Sequence, residues 1–220
     1  MRFLRFGLAA IALVACTAFA SPAAPQAEAE YKVLASPQPV NPIGKKVEVI
    51  EFFMYHCPFC NALEPTMTAW VKKQGDKIVF KRIHMPYTGT ADVEAHLFLT
   101  LETMGRLPDM HEKVLRAVHV EHLRLNKEDV VIDWVAKNGV DKQKFLEYWN
   151  SFGVQTKLKR LPQLLANYKI ETVPTIVVDG RYVTSPSIVE TANPNLKGDG
   201  VFQGVAQVLD ALVEKAAASK

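Results

Sequence analysis

Phe52-Phe53-Met54-Tyr55-His56-Cys57-Pro58-Phe59-Cys60 is the stretch whose reading decides the fold. The apolar, β-prone run from Val47 to Met54 delivers the chain into a short turn. A Cys-x-x-Cys then opens a helix, with Leu63, Met67, Trp70 and Val71 following at helical spacing. Cys57 thereby falls at the helix N-terminus, where unpaired N–H groups and the positive end of the dipole stabilise an anion. A thiolate held there has a depressed pKa, and the thiolate is the species that reacts. Pro58 suits the first helical position because its missing N–H costs nothing there. Cys60, three residues on, comes to the same helix face as Cys57.

Three chemistries compete for this pair. A structural staple closing so small a loop constrains the unfolded chain little, about 2 kcal/mol by chain entropy. A zinc site needs two further ligands, and the sequence holds no second Cys pair. The closest histidine pairing, His119-Val120-Glu121-His122, lacks the wider spacing of a zinc motif. A redox dithiol needs only the residues already in place. That reading is adopted, with no metal expected.

Apart from Cys57 and Cys60 the chain has a single cysteine, Cys16, and it lies in a leader. Arg2 and Arg5 precede the apolar run Phe6 to Ala15, and Ala18-Phe19-Ala20 forms a small-x-small cleavage site before Ser21. Leu13-Val14-Ala15-Cys16 also resembles a bacterial lipobox, so simple secretion and a lipid anchor at Cys16 both stay open. Either route leads to an oxidising compartment, where a cysteine pair persists as a disulfide. The formal charge of +3 falls to about +1 once Arg2 and Arg5 leave with the leader. The remaining basic residues are dispersed, and Lys157, Lys159 and Arg160 read as a solvated helix face, which argues against nucleic acid.

After a spacer rich in Ala and Pro, residues 21–30, Tyr31 to Leu34 reads as a short edge strand. Pro37, Pro39 and Pro42 enforce an irregular connection that ends at the turn Gly44-Lys45-Lys46. Val47 to Phe53 is apolar on both alternating faces apart from its acids, hence a central, parallel strand. The Cys-x-x-Cys helix runs to about Lys73, and Ile78 to Ile83 is the next strand, parallel to the first. From Ala91 to Leu161 the pattern is helical. Val93, Leu97, Leu101 and Met104 make one stripe, and Met110, Val114, Leu115 and Val118 another. Asn126 is expected to cap a helix, and Asp141 a second whose buried side is Phe145, Tyr148, Trp149 and Phe152. Past Pro162 a helix ends near Tyr168. Thr172 to Val178 then forms a strand, and Asp179-Gly180 turns it into Arg181-Tyr182-Val183. Pro186, Pro194 and Gly198 to Gly200 mark a loop before a last amphipathic helix from Val201 to Leu212.

This order resembles the thioredoxin fold. Cys57-Pro58-Phe59-Cys60 follows the first long strand, and Val173-Pro174-Thr175 precedes the hairpin. With the leader and the helical insert, the chain is similar to the DsbA group of bacterial periplasmic thiol:disulfide oxidants. Glu51-Phe52-Phe53 and Tyr148-Trp149-Asn150-Ser151-Phe152 are further matches. The resemblance implies an α/β fold, a central mixed sheet flanked by helices, with an inserted all-helical subdomain. Its divisions are a signal peptide (1–20), a spacer (21–30), a first thioredoxin-like part (31–86), the insert (87–162) and a second thioredoxin-like part (163–220).

The resemblance also assigns roles. Cys57 is the exposed, attacked and attacking sulfur, and Cys60 the buried partner that closes the disulfide. Val173-Pro174 is a cis-proline loop that presents backbone to a bound substrate strand. Glu51 is a buried acid, with Lys81 the base nearest its level. Whether that pair relays a proton to Cys60 or only forms a bridge stays open. The family often has histidine before the second cysteine; Phe59 stands here and is expected to shield the Cys57 sulfur from water. His56 either supplies part of the missing positive field or points away. The implied activity is donation of the Cys57–Cys60 disulfide to reduced exported polypeptides, by a monomer with no cofactor beyond that disulfide. A membrane quinone-linked reoxidase of the DsbB type is implied as partner. The rival readings are a reductant or isomerase of the same fold, and a non-catalytic chaperone-like module.

Overall fold

The computed structural model describes residues 25–40 and 44–220. The leader with Cys16, the first residues of the spacer and Pro42 lie outside the described residues. Among the described residues five strands form one mixed sheet in the order β1-β5-β4-β2-β3. Strand β2, Val47–Phe53, is buried along its whole length. It runs parallel to β3, Ile78–His84, and antiparallel to β4, Thr175–Val178. β5, Tyr182–Thr184, continues the hairpin and pairs with the short β1, Lys32–Val33.

The two-sided apolar character of β2 has a direct cause in what lies on each face. Val47 and Val49 join Leu63, Met67 and Trp70 of helix α1, Pro58–Gln74, and Val205, Leu209 and Leu212 of α8, Asp199–Ala218. Ile50 and Phe52 point the other way, into Leu165 and Tyr168 of α6, Phe152–Tyr168. The remaining helices of the insert are α2, Val93–Thr103, α3, Leu107–His119, α4, Glu128–Lys137, and α5, Lys142–Trp149. Their core of Leu97, Phe98, Met110, Val114 and Phe145 is continuous with Phe53, Tyr55, Cys57 and Cys60. The insert therefore seats directly against the cysteine turn.

Four local readings need correction. Asn126 does not cap α4: the helix starts at Glu128 after an extended Lys127 with no side-chain cap. Phe152 is 87% exposed and Tyr148 is also exposed, leaving Phe145 and Trp149 as the buried side of α5. The chain breaks at Asn150, and the Ser151 hydroxyl accepts from the Val154 N–H to start a new helix, which puts Phe152 out of phase. That helix, α6, continues through Pro162 to Tyr168 without interruption. Pro186 opens a further helix, α7, Pro186–Ala192, with Ser185 as its cap; proline at the first helical position starts a helix rather than marking a loop.

The hairpin turn at Asp179-Gly180 has positive φ at both central residues, as its tight connection requires. Gly180 also meets the incoming proline-rich segment: the Gln38 N–H donates to its carbonyl, and a Cβ would sit 2.3 Å from the Gln38 carbonyl oxygen. Gly180→Ala is expected to cost about 1–3 kcal/mol, strain and clash acting together. A fall in urea midpoint at unchanged m-value checks it; an unshifted midpoint means that the segment simply moves aside.

Candidate active site

Cys57 is the N-cap of α1, in extended backbone conformation, with Pro58 at the first helical position. Its sulfur accepts from the Cys60 backbone N–H at 3.4 Å and lies 3.7 Å from the Val173 carbonyl oxygen. The Val173-Pro174 bond is cis. Both cysteines are buried and unbridged, Cys57 at 7% exposure and Cys60 at 2%. Cys57 is therefore not the exposed sulfur that the resemblance implies: the insert that docks over the turn and the Val173 backbone cover it. A hydrogen bond from the Cys60 thiol is the main cause that takes the Cys57 pKa down to about 6. Burial opposes it, while the N–H groups of Cys60 and Phe59 and the charge of His56 assist. The same thiol–thiolate bond, then burial, then charge including that of Glu51, pushes Cys60 strongly up. One sulfur is thus prepared as a nucleophile and leaving group while its partner keeps its proton.

Phe59 does not play the part expected of it. The residue is 67% exposed, so little of it is packed over the sulfur, and it assists Cys57 through its backbone N–H. His56 turns toward the insert. Its Nδ1 lies 2.6 Å from Glu94 Oε2, and this bond holds the imidazole pKa above its ordinary value against the opposing effect of burial.

Glu51 is 1% exposed and its partner is Arg82, not Lys81. The register explains why: Glu51 faces Arg82 across the parallel pair, and Lys81, one residue earlier, emerges on the opposite face, where it binds Glu48. Arg82 Nε donates to Glu51 at 2.9 Å, and its Nη2 donates to both oxygens of Glu64 at 2.8 and 2.9 Å. Burial raises Glu51 to about 7, Arg82 pulls against it, and the charge of Glu64 adds to it. His111 of α3 extends the cluster, its Nε2 3.4 Å from Glu64 and its Nδ1 3.3 Å from the Tyr55 hydroxyl. Burial also lowers His84 to about 3, so that ring is neutral, and its Nε2 accepts the Tyr55 N–H at 3.1 Å.

Arg82, Glu64, Glu94, His84 and His111 were not singled out from sequence. Glu64 had a signal, four residues beyond Cys60 on the same helix face, and Arg82 had one in the alternation of β3. Glu94 and His111 had none, because the insert's docking alone brings them to the cysteines. A groove of about 690 Å³ opens beside His56, lined among others by Tyr87, Val93, Glu94, Val118, Leu123 and Arg124. Among the described residues no group of three or more His, Cys, Asp or Glu is placed to hold a metal ion.

The DSBA-like thioredoxin domain family matches residues 84–193. The chain is 39% identical to the thiol:disulfide interchange protein DsbA of Burkholderia cepacia over 208 residues, 94% of this chain and 93% of that one. To the protein of the same name from Pseudomonas aeruginosa it is 41% identical over 153 residues, 70% and 72% of the two chains. The crystal structure of Pseudomonas aeruginosa DsbA superposes with a TM-score of 0.76 at 36% identity, covering 89% of this chain and 97% of that one. Reduced DsbA1 from Neisseria meningitidis shares the fold at 24% identity, with a TM-score of 0.74 over 90% and 98% of the chains.

Proposed function

The chain belongs to the DsbA family, thioredoxin-fold thiol:disulfide oxidoreductases that give disulfides to exported proteins, and from that premise we propose how its own residues carry the exchange. Cys57 and Cys60 are the catalytic pair. The carrying observation is the asymmetry between them: one sulfur at a helix N-cap with its pKa near 6, the other raised and protonated.

A substrate thiolate attacks Cys57 Sγ of the Cys57–Cys60 disulfide, the S–S bond breaks, and its electron pair goes to Cys60. Cys60 holds a proton strongly, so that charge is neutralised at once. Glu51, whose charge reaches Cys60 and whose pKa near 7 leaves it partly protonated at neutral pH, supplies the proton. Arg82 sets how readily it does so, and Lys81 only pairs with Glu48. A second substrate thiolate then attacks the substrate sulfur of the mixed disulfide. It expels Cys57 as a thiolate, a good leaving group because its pKa is low. Val173 and Pro174 bind the substrate: the Val173 carbonyl, already within reach of Cys57 Sγ, and its neighbouring backbone align an extended chain. Pro58 starts the helix that supplies the field. His56 adds positive charge, and Phe59 adds its N–H.

Substrates are thiol-bearing proteins, and the working group is the protein's own disulfide. Reoxidation by a membrane quinone-linked protein of the DsbB type and action as a monomer complete the reading. Of the expected thioredoxin-like parts at 31–86 and 163–220, the second begins inside α6, so it shares that helix with the insert. Export to the periplasm follows from the leader at 1–20, by simple cleavage before Ser21, with lipidation at Cys16 the alternative that intact mass decides. Among the described residues no helix is long and apolar enough to cross a membrane.

The test is stability against pH in both redox forms. Cys57 titrates at about 6 in the folded reduced protein and at an ordinary 9.0 when unfolded. Such a depressed pKa contributes stability that is complete above pH 9 and is lost as pH falls through 6. The oxidised form has no thiol to titrate. Between pH 5 and pH 7 the reduced form should therefore gain about 1.4 kcal/mol on the oxidised one, the value of one pKa unit. Urea midpoints of both forms at the two pH values measure this. Parallel curves would remove the low-pKa thiolate and the oxidant reading with it.

A further inference from the structure

Glu94 is a buried carboxylate of the insert that the exchange described above does not use. Its Oε2 lies 2.6 Å from His56 Nδ1 and 3.9 Å from His84 Nε2. The second contact is no ion pair. His84 Nε2 already accepts the Tyr55 N–H, so its lone pair is committed and that ring carries no proton there to share. Glu94 therefore has one cationic partner among the described residues, His56, and a buried carboxylate without a partner is costly. The other acid nearby, Asp92 at the N-cap of α2, is spent on the N–H groups of Tyr87, Thr88 and Ala95. Tyr87 sets its ring edge-on to the His56 ring, centroids 5.6 Å apart. His119 Nε2 meets the Tyr55 carbonyl oxygen, and His122 and Arg124 line the same groove as His56. The imidazole is thus fixed by a carboxylate on one side and is the residue next to Cys57 on the other.

We propose that His56 and Glu94 form a redox-linked proton site, in which Glu94 positions the His56 ring to hold one of the two protons that arrive when the disulfide is reduced. The balance is closed. Two substrate thiols lose two electrons and two protons and form their disulfide, while the Cys57–Cys60 bond breaks. One proton goes to Cys60, and the second goes to His56 while Cys57 stays a thiolate, so an imidazolium–thiolate pair stands where a neutral imidazole and a disulfide stood. When the Cys57–Cys60 bond closes again, both protons leave with the electrons. The coupling is reciprocal: the thiolate favours the imidazolium as much as the imidazolium favours the thiolate. This inference rests on Cys57 being the low-pKa sulfur and adds to it a second titrating group from the insert.

The first test needs no variant. Carbon-detected NMR of labelled histidine should give a higher His56 midpoint in the reduced protein than in the oxidised one. The second uses thiolate absorbance against pH with a glutathione equilibrium at pH 8. Glu94→Gln should raise the Cys57 midpoint by about half a unit or more and make the protein several-fold less oxidising, since the imidazole loses its proton earlier. Glu94→Asp should restore part of the shift. In a His56→Gln background the sign should reverse: Glu94→Gln then removes only a negative charge near Cys57 and lowers its midpoint, a non-additivity that loss of packing does not produce. An equal His56 midpoint in both redox forms, or the same sign of the Glu94 effect in both backgrounds, overturns the proposal while leaving a low Cys57 midpoint intact. A Cys57 midpoint near 9 in the unaltered protein overturns both this site and the exchange mechanism beneath it.

Discussion

Cys60→Ala is expected to turn the protein from a turnover catalyst into a trap. Once a substrate is joined to Cys57, two exits exist: attack by the substrate's second thiolate, or return attack by Cys60. Removing Cys60 closes the second exit and leaves no disulfide to donate, so catalytic oxidation falls to background. Mixed disulfides accumulate where the Cys57 thiolate attacks a disulfide of an exported protein and expels its other sulfur as a thiolate. Cys57→Ala should form no such adducts, because burial and the charge of Glu51 still hold the Cys60 thiol protonated once Cys57 is gone. Mass spectrometry of alkylated, non-reduced samples counts the adducts, and comparable trapping by the two variants would reverse the assignment. A second readout belongs to the same variant. The hydrogen bond from the Cys60 thiol is the largest cause of the depressed Cys57 pKa, so in Cys60→Ala the Cys57 midpoint should rise from about 6. The helix N-terminus and the backbone N–H groups remain and should keep it below 9. An unchanged midpoint would leave the helix field alone as the cause.

The cysteine turn was legible because its signals are local. A β-prone run, a Cys-Pro pair at a helix start and a Val-Pro before a hairpin each act within a few residues, and the structure places all three together. Where the reading failed, the deciding quantity was phase or docking. Lys81 and Arg82 differ by one position, and in a strand one position exchanges the two faces, so composition alone could not tell Glu51 its partner. Phe152 belongs with Phe145 and Trp149 only if one helix spans all three; Ser151 restarts the helix and moves it to solvent. Glu94 and His111 lie dozens of residues from the cysteines and reach them only because α2 and α3 bury Phe98, Met110 and Val114 against Phe53 and Tyr55. No periodicity carries that information, since it is a property of two surfaces meeting.

Arg82→Ala should have the largest effect on stability, and its pH dependence identifies the cause. The guanidinium is the charged partner of two buried carboxylates, Glu51 and Glu64, and makes three hydrogen bonds to them. Removing one side of a buried ionic cluster leaves uncompensated charge, at a cost of about 3–5 kcal/mol. That cost is avoidable only by protonation. Glu51 is already raised from 4.5 to about 7, and loss of the cation raises it further. A carboxylate with a raised folded pKa loses stability as pH climbs from its unfolded value through its folded value. The loss should therefore grow from pH 5 to pH 8 through Glu51, while Glu64, whose folded pKa is lowered, keeps part of it at pH 5. Urea unfolding at both values checks it. Arg82→Lys should recover part of the loss, because a lysine keeps the charge and gives up the two-pronged contact with Glu64. A loss of equal size at pH 5 and pH 8 would instead assign it to packing, the guanidinium lying 4.9 Å above the Phe80 ring. The charge account also has a consequence for exchange: with Arg82 gone, Glu51 stays protonated to higher pH, so delivery of a proton to Cys60 should persist at alkaline pH where the parent slows.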